Sequence, residues 1–214
     1  MSQPYRAPEA SHRYVLNTVR EADRDRFLAA LFAPEPARTG LMALLAFDHE
    51  LGRAHAVTRE PLLAEIRLQW WREAATEAAG SGKPRAQPVV ESLSETVRRH
   101  GLTPERMIAL IDARAEEIEG PLDVVRTGTA FADLALAVLG VDDAMTRKAA
   151  HAVAAAGLMG EGEERRAVLL EARAVGKVDL AALPILLPAR LLDRPMTAWR
   201  KPLALWWAAR RGRW

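Results

Sequence analysis

Proline and glycine cut this chain into stretches of helical length, and the stretches between are rich in Ala, Leu, Arg and Glu. Those four residues are strong helix formers, whereas strands favour the β-branched and aromatic residues that are comparatively scarce here. Ala33-Pro34-Glu35-Pro36 stops one stretch, because proline lacks a helical N–H and restricts the residue before it. Gly80-Ser81-Gly82-Lys83-Pro84 reads as a loop, Gly101 as a helix-ending glycine, and Thr103-Pro104 as an N-cap followed by a first-turn proline. The punctuation predicts helices over 11–32, 36–57, 60–79, 88–100, 104–120, 122–139, 142–159, 163–175, 180–192 (interrupted by Pro184 and Pro188) and 197–211. No strand, internal repeat or sustained heptad competes, so the expected fold class is all-α.

A chain of 214 residues, half of them hydrophobic, is large enough for one globular domain with a real core. The expected organisation is a loose N-terminus over 1–10, a helical domain over 11–192 and a separate tail over 193–214. A net charge of +2 gives no reason to expect a nucleic-acid partner. The absence of cysteine excludes a disulfide framework, a Cys-ligated metal and a Cys nucleophile, and it fits a reducing cytoplasm. Residues 1–10 hold no apolar run of the kind a secretory signal needs. No stretch approaches the roughly 20 apolar residues of a membrane span, so membrane contact is expected to be peripheral.

Three strings stand out: Phe27-Leu28-Ala29-Ala30-Leu31-Phe32-Ala33-Pro34, Leu44-Leu45-Ala46-Phe47-Asp48-His49-Glu50-Leu51, and Glu65-Ile66-Arg67-Leu68-Gln69-Trp70-Trp71-Arg72-Glu73. In order and spacing they resemble the N-terminal part of the squalene/phytoene synthase family. Thr127-Gly128-Thr129-Ala130 and Leu183-Pro184-Ile185-Leu186-Leu187-Pro188-Ala189 fit weaker patterns of the same family. The resemblance implies a single-domain helical bundle of the isoprenoid synthase type, here shortened at its C-terminal end. Active members join two prenyl diphosphates head to head, across a cavity faced by two Asp-x-x-x-Asp motifs. Residues at i and i+4 share a helix face, so each motif can offer two carboxylates to Mg²⁺, which prefers oxygen ligands and neutralises the departing diphosphate.

The family pattern places the first motif just after Phe47, at positions 52 and 56, where this chain reads Gly52-Arg53-Ala54-His55-Ala56. The second belongs between positions 151 and 173. No Asp occurs there, and the adjacent Glu163 and Glu164 point about 100° apart on a helix. A family signature without its metal ligands resembles the branch that holds the mitochondrial complex I assembly factors related to phytoene synthase and their bacterial relatives. That resemblance implies a non-enzymatic role in assembling respiratory complex I, with complex I subunits as partners. It implies no cofactor; Mg²⁺ enters only under the alternative of an active prenyl transferase with atypical ligands. A non-catalytic isoprenoid or lipid carrier is a further alternative.

Counting 100° per residue from Leu41, the inward stripe of 36–57 holds Leu44, Leu45, Asp48, Gly52 and His55. Asp48 and His55 read either as polar remnants of a ligand cavity or as structural groups, with Asp48 paired to Arg67 or Arg72, because a buried charge needs a partner. Gln69 and Trp70 are further candidates for that cavity. Trp70 continues an apolar stripe of Leu62, Leu63 and Ile66 and is expected in the core. Arg67 and Arg72 read as former diphosphate contacts or as partners of nearby acids such as Glu65 and Glu73.

The tail differs in composition: Arg194, Arg200, Lys201, Arg210, Arg211 and Arg213 face a single acid, alongside Trp199, Trp206, Trp207 and Trp214. Tryptophan with Arg and Lys suits the membrane–water interface, and anionic lipid attracts the cations. Packing of the same helix on the bundle fits the composition equally, and a protein partner is a further alternative. The expected location is the cytoplasm, with peripheral attachment to the inner face of the cytoplasmic membrane.

Overall fold

The computed structural model describes residues 5–56, 60–193 and 196–214, with the backbone alone at positions 55 and 56. The helices are α1 (Glu9–Ala22), α2 (Arg24–Ala30), α3 (Ala37–Ala56), α4 (Pro61–Ala79), α5 (Pro88–His100), α6 (Pro104–Ala115), α7 (Val124–Leu139), α8 (Ala144–Leu158), α9 (Glu163–Ala174), α10 (Leu183–Leu186), α11 (Pro188–Leu192) and α12 (Lys201–Arg210). Short 3-10 turns lie at Glu116–Ile118 and Leu180–Ala182. No strand occurs among the described residues, and the fold is all-α. Three predictions fall partly outside the described residues: the first four positions of 1–10, the end of the 36–57 helix at Val57, and Arg194.

The anticipated helix over 11–32 is two helices. Asp23 leaves helical geometry at φ −145° and ψ 83°, and its carboxylate accepts the Arg26 N–H at 2.9 Å. That capping bond restarts the chain as α2, and side-chain caps of this kind satisfy N–H groups the helix itself cannot. Gln87 and Asp143 cap α5 and α8 in the same way. Gly101 ends α5 at φ +65°, a conformation that favours glycine.

The chain forms two compact units, residues 1–22 with 39–123 and residues 23–38 with 124–214. The reason is the early segment around α2, which packs with the C-terminal helices α10, α11 and α12.

In the first unit, α5 is the central helix, buried from Val89 through Val97 except Glu91, with α1 and α4 against it. The described part of 1–10 is not loose. Arg98 stacks on Tyr5 at 5.0 Å, and the Ala7 N–H donates to the buried Glu95 carboxylate at 2.8 Å. Glu95 also accepts from His12 at 2.9 Å and Arg99 at 2.8 Å, so it pins the entry to α1. The α4 face that packs against α5 and α6 is Ala64, Leu68, Trp71, Ala74, Ala75 and Ala78. Leu62, Leu63 and Ile66 are exposed and Trp70 is half-buried, so the expected core stripe lies outside. Helix α4 carries two apolar stripes, and the alanine-rich one wins because small side chains let neighbouring helices come close. Trp71 is the aromatic that enters the core, edge-on to Phe47 at 5.4 Å between ring centres.

In the second unit, α7 and α8 form the closest pair. A Cβ on Gly128 would lie 2.5 Å from the Ala155 nitrogen, so the helices touch backbone to backbone there. Helix α12 is seated by Leu205 and Ala208 in a cluster with Ala29, Leu187 and Leu191. The Lys201 ammonium grips both oxygens of Asp25 at 2.7 and 2.8 Å.

Candidate functional site

Helix α3 carries Asp48 inward, and α6 supplies its partner. Asp48 is 2% exposed and Arg114 9%, and Arg114 Nη2 donates to Asp48 Oδ1 at 2.7 Å. The expected partners, Arg67 and Arg72, do not take this role. Arg72 is turned to the outer side of α6, where its Nε and Nη2 reach Asp112 Oδ1 at 3.0 and 2.8 Å, and Arg67 is exposed. Arg114 wins because it continues the buried stripe of α6, Met107, Leu110, Ile111 and Arg114, at the i, i+3, i+4, i+7 spacing that holds one face. Its Nη1 lies 3.7 Å from Glu117, and its buried Nε has no hydrogen-bond partner among the described residues.

The same guanidinium decides whether a metal fits. A Cβ built on Gly52 would sit 3.7 Å from Arg114 Nη1 and 3.8 Å from its Cζ. A permanently charged cation therefore stands beside the position where the family pattern places its first carboxylate. Glycine at 52 and alanine at 56 carry no side-chain ligand atom, and Asp48 is engaged by Arg114. Among the described residues, no three His, Asp or Glu side chains form a group that could hold a metal ion. The donor set does not fit the Mg²⁺ ions of a working synthase. The His55 side chain lies outside the described residues.

Gln69 and Trp70 are not with Asp48 and Gly52. They line a surface groove of about 660 Å³ along α4 and the end of α6, with Leu62, Ile66, Leu68, Ala115 and Ile118. Arg85 stacks on the Trp70 ring at 4.8 Å. Its guanidinium also bonds Glu77 and holds that carboxyl below the usual range. Sequence periodicity missed this groove because an exposed apolar stripe and a buried one have the same spacing.

The tail residues divide as well. Trp206 is 47% and Trp207 51% exposed, and Trp199 is also in solvent, while Lys201 is committed to Asp25. Among the described residues of the tail, Arg200 stacks on Trp199 at 5.3 Å, Arg210 on Trp206 at 5.5 Å and Arg211 on Trp207 at 4.9 Å. Trp214 is half-buried, and its backbone oxygen accepts from Arg173 at 3.2 Å. Beside this face, Leu28, Leu31, Phe32, Pro202, Leu203, Leu205 and Trp206 line an almost wholly apolar groove of about 500 Å³. No described helix is long and apolar enough to cross a membrane.

Comparison with known proteins places residues 19–178 on the model of a family described as squalene/phytoene synthase. A Rattus norvegicus protein named NADH dehydrogenase (ubiquinone) complex I, assembly factor 6 is 31% identical over 109 residues, which is 51% of this chain and 32% of that protein. The Bos taurus protein of the same name is 31% identical over 107 residues, covering 50% of this chain and 32% of its own length. The Drosophila melanogaster homolog is 24% identical over 185 residues, 81% of this chain and 54% of the homolog. The chain thus spans about a third of the mammalian relatives' length and about half of the fly relative's. No solved structure matches.

Proposed function

The chain belongs to the squalene/phytoene synthase family, and from that premise we propose that it is a non-enzymatic assembly factor for respiratory complex I, working without a metal cofactor and held peripherally at the inner face of the cytoplasmic membrane. The observation that carries this reading is the Arg114 guanidinium beside Gly52, paired with Asp48. A synthase needs carboxylates there to gather Mg²⁺; a buried cation repels it. The names of the relatives support complex I as the client, and complex I subunits are accordingly the proposed protein partners.

Membrane attachment is assigned to α12 and the residues before it. Exposed Trp199, Trp206 and Trp207 beside Arg200, Arg210 and Arg211 combine an apolar body with cations, the mixture that suits an anionic lipid surface. The adjoining apolar groove supports a second reading, a non-catalytic binder of an isoprenoid or other lipid chain.

Deleting the gene tests the first reading. Fully assembled complex I should fall on native gels and return when the wild-type chain is restored; normal assembly in the deletion strain sinks the proposal. Purified protein given farnesyl diphosphate and Mg²⁺ should release no diphosphate, and steady turnover would establish an enzyme instead. Co-sedimentation with vesicles of phosphatidylglycerol should drop when Trp206 and Trp207 are both changed to Ala. Unchanged sedimentation would move attachment elsewhere.

A further inference from the structure

The groove on α4, about 660 Å³ in volume, is left unused by the proposed function. Leu62 is 65% and Ile66 56% exposed, on the same helix face as Trp70. Between Leu62 and Glu73 the helix advances about 16 Å at 1.5 Å per residue, or three turns. That length suits a helix laid in a groove, which is read through apolar anchors at i, i+3 or i+4, and i+7. The charge of its described lining residues is mostly acidic. Glu65, Glu73 and Glu119 line the groove, and Arg72, the one cation among its described lining residues, is already taken by Asp112. Arg85, over Trp70, is held by Glu77 and lies 3.7 Å from Glu73.

We propose that this groove docks an amphipathic helix of a partner protein rich in Lys or Arg. Its apolar face would rest on Leu62, Ile66 and Trp70, and its cations would face Glu65, Glu73 and Glu119. The acidic rim rejects a diphosphate or an anionic headgroup, since like charges brought together out of water repel strongly. An oppositely charged helix gains steering and register from the same field. The inference does not depend on complex I being the client, and it involves a different surface from the tryptophan face of α12.

Two labelled model helices test it with the full-length chain. Both carry leucines on one face; one is flanked by lysines, the other by glutamates. Fluorescence anisotropy should show saturable binding of the lysine peptide that weakens with salt, and affinity for the glutamate peptide at least about tenfold lower. Ile66→Asp, at an exposed position and checked for an unchanged circular dichroism spectrum, should weaken the lysine peptide by about tenfold or more. Glu65→Lys with Glu119→Lys should reverse the preference. Trp206→Ala with Trp207→Ala should leave it intact. Equal affinity for the two peptides, no saturable binding of either, or indifference to Ile66→Asp overturns the proposal. So does saturable farnesol binding that Ile66→Asp abolishes, which would make the groove a lipid site. A dimer in sedimentation that the same change dissolves would put a second copy there instead.

Discussion

Each unit uses a helical glycine to bring something close to a helix, but what arrives differs. At Gly128 in the second unit the neighbour is backbone: Ala155 lies so near that a Cβ would sit 2.5 Å from its nitrogen. At Gly52 in the first unit the neighbour is the Arg114 guanidinium, 3.7 Å from where a Cβ would stand, which is ordinary contact. Gly128 is required by packing. Gly52 is tolerated, and an alanine would fit. The backbone contact at Gly128 sits in Thr127-Gly128-Thr129-Ala130, one of the weaker patterns of the resemblance. The Gly52 contact sits where the chemistry of the family is expected. Close backbone packing thus fixes the glycine in the second unit, whereas in the first a long, charged side chain lies beside one.

The sharpest way to break this contrast is Arg114→Ala. It breaks the buried pair by removing the Arg114 guanidinium from Asp48 and should cost about 3–5 kcal/mol in chemical denaturation. Replacing Asp48 and Arg114 together by Leu and Met should recover most of that loss, because well-packed apolar residues often serve as well as a buried pair. Gly128→Ala should cost about 1–3 kcal/mol by forcing α7 and α8 apart. A loss near zero would mean the helices slide without penalty and the contrast fails. Gly52→Ala should instead stabilise the chain by up to about 1 kcal/mol, since glycine in a helix interior is unfavourable relative to alanine; a destabilisation would show that Arg114 needs the empty space.

The smallest effect concerns pH and is confined to the first unit. Burial, helped by Arg99, pushes His100 below its ordinary value of 6.5. The folded state therefore disfavours the imidazolium and binds fewer protons than the unfolded chain. This contribution is fully present above about pH 6.5 and is lost as pH falls through that value toward the lower folded one. Unfolding measured between pH 8 and 5 should show the decline, and His100→Gln should flatten it slightly.

The helices were legible because proline, glycine and capping residues mark their ends locally. Asp23 was the exception. Its capping of Arg26 was written in the sequence, but the helix formers on both sides hid the break. Burial was less legible than periodicity suggests. Helix α4 offered two apolar stripes, and the larger side chains of Leu62, Leu63, Ile66 and Trp70 drew the prediction away from the alanines that actually pack. The Asp48–Arg114 pair had a usable signal. Asp48 interrupts an apolar stripe on α3 and Arg114 ends one on α6, so each inward charge calls for an opposite one. Only the separation of 66 residues hid that they answer each other. The two units were not legible, because the segment around α2 packs with helices far beyond it in the chain.

The guanidinium beside Gly52 also bears on reversibility. An aspartate returned to position 52 would meet Arg114 first, as a second counter-ion rather than a free ligand. Removing Arg114 first would take a buried charge partner away from Asp48. Neither single step leads back toward a metal site, and position 56 would still need its own carboxylate. Carboxylates at positions 52 and 56 would thus help only when several changes are made together, and the present arrangement resists stepwise conversion into a metal site.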